Sequence, residues 1–187
     1  FNVSTFTART ITSSLSDIHG AITGAIASLK GPLHGGANEE VMHMMNKIKK
    51  PENALKWINK ALDKKEVVMG FGHRVYKKGD SRVPTMEKYF RKVSKITRDK
   101  KFIKIYDTVK NVMIERKDIH PNVDYPTGPT YHLMGFDTDF FTPIFVISRI
   151  TGWSAHIMEQ HKANKLIRPL SKYSGPDHRK VMLLNQR

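Results

Sequence analysis

The chain has 187 residues, of which 39% are hydrophobic and 26% charged, so it is long enough to bury the core of one or two domains. It has no cysteine, which excludes disulfide bonds, a thiol nucleophile and cysteine-type metal sites, and no apolar run reaches the length of a membrane span. Its 32 basic residues outnumber the 17 acidic ones, and the net charge of +15 favours anionic partners such as nucleic acid, an anionic membrane surface, or phosphorylated and carboxylated small molecules.

Residues 2–30 are rich in Ser, Thr, Ala and Gly, which let helices pack closely, and they predict buried helix. A β-strand is disfavoured because apolar and polar residues do not alternate. Asp17 is a candidate N-cap for a second helical segment. The expected apolar face of that segment consists of Ile18, Ile22, Ala25 and Ile26.

The next stretch predicts a loop followed by two helices. A Gly-Pro pair ends the first helical region, and residues 31–40, GPLHGGANEE, form a loop that carries His34. One helix begins near Asn38, and Pro51 opens the next in a first-turn position that proline tolerates. The expected apolar faces of these helices are Val41, Met44, Met45 and Ile48, followed by Leu55, Ile58 and Leu62.

Residues 69–82, MGFGHRVYKKGDSR, form a strongly basic loop. Gly70 and Gly72 allow backbone conformations or close approaches that are closed to other residues. His73 follows directly, and Arg82 ends the stretch. One titratable imidazole among so many cations favours an anion that undergoes proton transfer, whereas a solvated turn between helices is an equally good interpretation of this stretch alone.

Two amphipathic helices follow, with lysines on their solvated faces. Their apolar stripes are Met86, Phe90, Val93 and Thr97, and then Phe102, Tyr106, Val109 and Met113. Residues 118–129, DIHPNVDYPTGP, predict a turn region that holds Asp124, because proline and glycine bound it.

Residues 140–157 are apolar almost all round and predict a buried helix with Arg149 in its middle. A buried guanidinium requires a carboxylate or a bound anion, because an unpaired buried charge costs several kcal/mol. The polar tail from Ser171 onward predicts extended chain. With no strand pair and no internal repeat, the expected fold class is all-α.

Several familiar motifs are excluded. The third glycine position of a dinucleotide-binding G-x-G-x-x-G is Val75. The spacing from His156 to His161 is one residue off a zinc-binding H-x-x-E-H, so no metal site is expected. A basic helical nucleic-acid-binding module remains an alternative, although the lysines are spread over several helices and the aromatic residues fall at core positions.

Three residues on predicted loops remain: His34, His73 and Asp124. Each alone is ordinary. Together with Arg82 and Arg149 they suggest acid–base chemistry on a carboxylate substrate.

At these positions the sequence resembles the citrate synthase family, which includes the 2-methylcitrate synthases. The motifs occur in the family's order and span about nine-tenths of the chain. They are STFTAR (4–9), GPLHGGANE (31–39), GFGHRVYKKGDSR (70–82), NVD (122–124), FTPIFVISR (141–149) and LIRP (166–169).

The resemblance implies three catalytic residues. His34 would hydrogen-bond the thioester carbonyl of acetyl-CoA, Asp124 would remove the methyl proton, and His73 would protonate the oxaloacetate carbonyl. The enzyme would be an acyltransferase that condenses acetyl-CoA with oxaloacetate and water to citrate and CoA, the first step of the tricarboxylic acid cycle. 2-Methylcitrate synthesis from propionyl-CoA is the alternative.

The resemblance also implies residues that bind substrate. Arg82 and Arg149 would hold the carboxylates of oxaloacetate and citrate, and Arg168 would reach into the site of a partner subunit. Lys77 and Lys78 are candidates for the CoA phosphates, although a solvated lysine pair is a credible alternative. Further candidate CoA contacts are Gly70, Phe71 and Gly72.

The implied architecture is an intertwined all-α homodimer with a large and a small helical domain in each subunit. Residues 36–139 would form the small domain, and residues 1–35 and 140–187 would belong to a partial large domain. We expect the chain to be the C-terminal portion of a cytoplasmic enzyme of bacterial or archaeal type, inactive in isolation. Acyl-CoA would be a co-substrate, with no tightly bound cofactor.

Overall fold

The computed structural model describes residues 1–177 and 179–187. Within them the predicted all-α class is confirmed, and the β structure is limited to one isolated bridge between Phe71 and Pro121. The α-helices are α1 Val3–Ser13, α2 Ile18–Leu29, α3 Ala37–Ile48, α4 Pro51–Asp63, α5 Val83–Thr97, α6 Lys101–Lys117, α7 Asp124–Leu133 and α8 Phe141–Lys162. Short 3₁₀ helices cover Thr138–Phe140 and Leu184–Gln186.

Helices α1, α2 and α8 pack together around one hydrophobic cluster. The predicted cap of α2 is confirmed, because Asp17 accepts a 2.8 Å hydrogen bond from the Gly20 backbone N–H. The predicted face of α2 is wrong in part, since Ile18 and Ile26 are exposed. Small side chains allow the closest helix approach, so this helix buries Ala21 and Ala25, with Leu29 on the same face.

A second cluster holds α3 to α7 together. The stripes predicted for α3 and α6 are confirmed as buried. Leu55 is exposed, because α4 turns its smaller residues Ala54 and Ala61 inward beside Ile58. Thr97, at the end of α5, is also exposed.

The predicted turn over residues 118–129 is wrong for its second half, because α7 begins at Asp124. Pro126 is the third residue of this helix, where a missing N–H leaves no hydrogen bond unmade. Helix α7 packs against α3 and α5. Tyr125 is fully buried and stacks on Tyr106 with 4.4 Å between ring centroids, so tertiary packing stabilises a segment of poor helix propensity.

The prediction that α8 is buried all round is also wrong in part. Trp153 and Ile157 pack against α1 and α2, whereas Ile147 is 74% exposed and Ile150 also reaches solvent. One side of the helix contacts the neighbouring helices, and no described element covers the other. None of the helices among the described residues is long and apolar enough to cross a membrane.

Candidate functional site

His34 lies in the loop between α2 and α3 with its ring orientation fixed by Ser4. Its Nε2 accepts a 3.2 Å hydrogen bond from the Ser4 backbone N–H and lies 2.9 Å from Ser4 Oγ. A backbone amide can only donate, so neutral His34 must carry its proton on Nδ1. Burial, with the nearby Arg149 charge, lowers the pKa of His34. His34 is therefore a neutral imidazole with a hydrogen-bond donor at Nδ1.

Ser4 is held in turn by the cap of α1. Asn2 is the N-cap residue, and its Oδ1 accepts hydrogen bonds from the Thr5 backbone N–H at 3.0 Å and from Ser4 Oγ at 2.8 Å. Sequence reasoning missed both Asn2 and Ser4 as supports of His34. An asparagine just before a helix is a recognisable capping signal, but the contact of Ser4 with His34 joins residues 30 positions apart.

Arg149, on α8, lies beside His34 and Asn2. Its Nη1 lies 3.5 Å from His34 Nε2 and 3.4 Å from Asn2 Oδ1, and the guanidinium lies 4.2 Å from the centroid of the Phe145 ring. Of the two partners expected for Arg149, a carboxylate or a bound anion, no carboxylate of the described residues forms an ion pair with it. Burial lowers the pKa of Arg149, as does the Arg82 charge, while Asp124 raises it.

The backbone of residues 70–72 is joined to the segment before α7. Gly72 N–H donates to the His120 carbonyl at 2.9 Å, and the Asn122 backbone N–H donates to the Gly70 carbonyl at 2.9 Å. Gly70 has φ +84°, and a Cβ there would lie 2.7 Å from a Val41 methyl carbon, so both the conformation and the close approach require glycine. These contacts hold the predicted basic loop against the start of α7.

His73 follows this bridge, and the loop fixes its tautomer. Nδ1 accepts hydrogen bonds from the backbone N–H groups of Val75 at 3.0 Å and Tyr76 at 3.2 Å. The Tyr76 ring lies beside the imidazole, with 4.7 Å between centroids. Neutral His73 must therefore carry its proton on Nε2, the nitrogen without a bond to the loop.

Asp80 holds Arg82 through two hydrogen bonds. The Arg82 Nε donates to Asp80 Oδ1 at 2.9 Å, and Nη2 donates to Oδ2 at 2.6 Å. Burial would raise the pKa of Asp80, but the hydrogen bonds from Arg82 outweigh it and the pKa is lowered. Asp80 Oδ2 also accepts from the Val123 backbone N–H at 3.1 Å. One buried carboxylate thus positions both Arg82 and the start of α7, a role that sequence reasoning missed.

Asp124 is the first residue of α7. Its backbone N–H donates to Asn122 Oδ1 at 3.0 Å, while its carboxylate accepts no hydrogen bond from the described residues. Burial raises the pKa of Asp124 to about 6; Arg82 and Arg149 oppose the shift, and Asp80 adds to it. Asp124 is therefore a weakly solvated carboxylate suited to taking up a proton near neutral pH.

Four predicted site residues form one cluster. His34 contacts Arg149, and the charges of Asp124, Arg82 and Arg149 act on one another. His73 adjoins the cluster through Tyr76, whose ring lies beside the imidazole and 5.5 Å from the Arg82 guanidinium.

The other side chains predicted for the site form no bond with this cluster. Lys77 and Lys78 are exposed and have no hydrogen bond or ion pair with the described residues. Arg168 is exposed in the segment after α8, where the neighbouring Ile167 N–H donates to Ser13 Oγ at 3.0 Å. No trio of His, Asp or Glu side chains within 1–177 and 179–187 is arranged to hold a metal ion.

We expect Asp124→Asn to stabilise the fold by about 2–3 kcal/mol near pH 8. The folded pKa of about 6 lies above the ordinary 3.8, so the folded state binds this proton more tightly than the unfolded chain. The stabilisation from this proton is complete below the ordinary pKa and is lost as the pH rises through about 6. Asparagine is neutral like the protonated acid, so it keeps that stabilisation at higher pH. Urea unfolding near pH 8 and near pH 3.5 measures the difference, which should almost vanish at the lower pH. Asp118→Asn, at an exposed carboxylate, is the control, and an equal gain at both pH values contradicts the assignment.

A family model and several known proteins match the part of the chain that contains these residues. A family model described as "Citrate synthase, C-terminal domain" matches residues 1–170. The 2-methylcitrate synthase 2 of Corynebacterium glutamicum is 59% identical over 187 residues, which cover 100% of this chain and 49% of that protein. A citrate synthase of Mycolicibacterium smegmatis is 55% identical over 182 residues, covering 97% of this chain and 48% of that protein.

Solved structures agree in fold. The citrate synthase of Thermoplasma acidophilum, solved as a ternary complex with carboxymethyl coenzyme A and oxaloacetate, matches with a TM-score of 0.91 and 37% identity. The match covers 100% of this chain and 51% of that one. The chain spans about half the length of the curated relatives it matches.

These matches first define a class, the all-helical proteins with the citrate synthase fold. More particularly, the chain belongs to the citrate synthase family. The resemblance read from the sequence is confirmed.

Proposed function

We propose that the full-length protein condenses an acyl-CoA with oxaloacetate to give a citrate-type product and CoA. The observation that carries the proposal is the cluster of Asp124, whose pKa lies near 6, with the neutral donor His34 and the cations Arg82 and Arg149. A carboxylate base, a donor for the developing enolate and two arginines for a dicarboxylate are the groups that this reaction needs.

His34 and Asp124 act on the thioester in this proposal. The α-proton of a thioester is very weakly acidic, so a carboxylate removes it only if the enolate oxygen is stabilised as charge develops. The Nδ1–H of His34 supplies that donor, and one such donor is typically worth ~3–4 kcal/mol. Burial of Asp124 favours its protonated product, because it disfavours the free carboxylate.

His73, Arg82 and Arg149 act on oxaloacetate. The enolate carbon attacks the ketone, and Nε2–H of His73 gives its proton to the ketone oxygen as the new bond forms. Arg82, oriented by Asp80, binds one carboxylate, and Arg149, which contacts no described carboxylate, binds another. Water then hydrolyses the thioester and releases CoA.

The domain division also belongs to the proposal. Residues 36–139 form a small domain that closes on residues 1–35 and 140–187. The two hydrophobic clusters support this division, since Phe141 is the one buried residue of the larger cluster that lies outside 36–139. Glu39 accepts a 3.0 Å hydrogen bond from the Thr142 backbone N–H near the second boundary, so it links α3 to the start of α8. Closure would exclude water from the thioester during condensation.

We also propose a homodimer in which Arg168 reaches the partner's site. Its exposed position in an extended segment is compatible with this role. The residues proposed to contact CoA are Gly70, Phe71, Gly72, Lys77 and Lys78.

An assay decides whether the acyl group is acetyl or propionyl. Relatives at 59% and 55% identity carry the names 2-methylcitrate synthase and citrate synthase, respectively, and the comparisons give no support to a nucleic-acid-binding module. One methyl group in a pocket changes specificity by only about 1–3 kcal/mol. We favour acetyl-CoA, in the tricarboxylic acid cycle, with propionyl-CoA as the alternative.

Thiol release from acetyl-CoA and from propionyl-CoA, with oxaloacetate fixed, tests both the condensation and the preferred acyl-CoA in the full-length protein. A higher kcat/KM for acetyl-CoA supports citrate synthesis, and a higher value for propionyl-CoA supports 2-methylcitrate synthesis. Release that does not depend on oxaloacetate contradicts condensation itself.

A further inference from the structure

A cavity of about 760 Å³ lies at the turn that joins α5 to α6. Five of its eight lining residues are Lys or Arg, and Ile103 and Ser94 contribute to its walls. The charged lining residues are Arg91, Lys95, Arg98, Asp99, Lys100 and Lys104. The cavity is at the far end of α5 from Arg82, and a helix of 15 residues is about 22 Å long, so it is separate from the site described above.

Most of the positive charge around this cavity is not neutralised. Arg91 is paired with Glu87 and Asp107, each at 2.6 Å. The four other cations form no ion pair with the described residues: Lys95, Arg98, Lys100 and Lys104.

Asp99 is the one carboxylate of the lining, and it has a structural task. Its Oδ1 accepts a 2.9 Å hydrogen bond from the Phe102 backbone N–H, which caps the start of α6. Its backbone carbonyl accepts from Ser94 Oγ, which ties the turn to α5. One carboxylate against four unpaired cations leaves a net charge of about +3 in the cavity wall.

This arrangement is unfavourable without an anion. Lys100 and Lys104 are four residues apart at the start of α6, where like charges repel and the helix dipole disfavours cations. No acidic residue lies in the first turn of α6, so Asp99, just before the helix, is the one carboxylate of the lining that offsets them.

Arg98 adds a backbone cost to the same place. It ends α5 with φ +58°, a left-handed conformation that glycine or asparagine adopts more easily than arginine. Glycine would serve the turn better, and what arginine supplies there is a guanidinium at the cavity.

We propose that this cavity binds a small anion with several phosphate groups. Four unpaired cations match the charge of a triphosphate, and guanidinium and ammonium groups form charge-assisted hydrogen bonds with phosphate oxygens. The volume accommodates a molecule of nucleotide size. The shared ligand chemistry is the phosphate chain, whether inorganic or carried by a nucleoside.

Calorimetric titration of the full-length protein with inorganic tripolyphosphate tests the site, with oxaloacetate present at saturation to occupy the proposed carboxylate-binding residues. The test variant is Arg98→Gly with Lys104→Gln, and the glycine also relieves the left-handed turn, so the fold is preserved. The control removes the same charge at two exposed lysines of α4, Lys56→Gln with Lys60→Gln. We expect the Kd to rise about tenfold or more in the test variant and to stay within about twofold in the control.

Parallel titrations with ATP and citrate identify the ligand class. Equal binding of ATP and tripolyphosphate supports recognition of the phosphate chain, and tighter binding of ATP supports a nucleotide within the same proposal. Absence of tripolyphosphate binding, an unchanged Kd in the test variant, an equal loss in the control, or equal binding of citrate overturns the proposal. Each of these outcomes leaves the proposed condensation untouched, since thiol release measures it separately.

Discussion

Asp124→Asn is expected to lower kcat by about 10²–10⁴-fold while oxaloacetate binding changes little. The amide keeps the size of the side chain but cannot accept the α-proton of the thioester. Its effect on oxaloacetate should be small, because Asp124 forms no hydrogen bond that orients Arg82 or Arg149 in the described structure. Steady-state kinetics with saturating acyl-CoA gives kcat, and calorimetric titration gives the oxaloacetate Kd.

Asp118→Asn is the matched control for this prediction. It makes the same chemical change at an exposed carboxylate six residues earlier in the chain, and it should keep kcat within about twofold. A comparable loss in both variants, or normal turnover in Asp124→Asn, would remove Asp124 from the role of base.

Arg149→Leu is expected to show the opposite pattern, with oxaloacetate binding weakened by about 10²-fold or more. Its guanidinium contacts no described carboxylate, so its charge is free to bind a carboxylate of the substrate. Charge-assisted hydrogen bonds contribute about 1.5–3 kcal/mol each, and leucine removes them while keeping an apolar stem on α8. Calorimetric titration with oxaloacetate measures the loss.

Arg149→Lys separates charge from geometry. Lysine keeps the positive charge but cannot form a bidentate pair, so its oxaloacetate affinity should lie between those of the wild type and Arg149→Leu. Thermal unfolding of both variants checks that α8 still packs. If Arg149→Leu lowered only kcat while Asp124→Asn weakened oxaloacetate binding, the two roles would have to be exchanged.

The sequence predicted those parts of the fold that depend on local pattern. Apolar residues at helical spacing gave the buried faces of α3 and α6, because one helix face packs regardless of which partner covers it. Asp17 was predictable as a cap since its hydrogen bond spans only three residues. The choice of face on α2 was not, because it depends on how closely α1 can approach.

Contacts between residues far apart in the chain explain the other places where the structure differs from the prediction. Proline and glycine made residues 118–129 look like a turn, yet the burial of Tyr125 stabilises a helix that begins at Asp124. The sequence also indicated which charged residues would group together, but not what holds them. Asp80 binds the Val123 amide 43 positions away, and no local pattern reports such a contact.

The most direct test of carbon–carbon condensation at this site follows the methyl deuterons of deuterated acetyl-CoA in ordinary water. With oxaloacetate and the full-length protein, we predict citrate that has lost one methyl deuteron, with a primary isotope effect on kcat/KM for acetyl-CoA. Asp124→Asn should suppress both the loss of the deuteron and the formation of citrate. Release of CoA with every methyl deuteron retained in the product would show hydrolysis or acyl transfer to oxygen, and would contradict the proposed condensation.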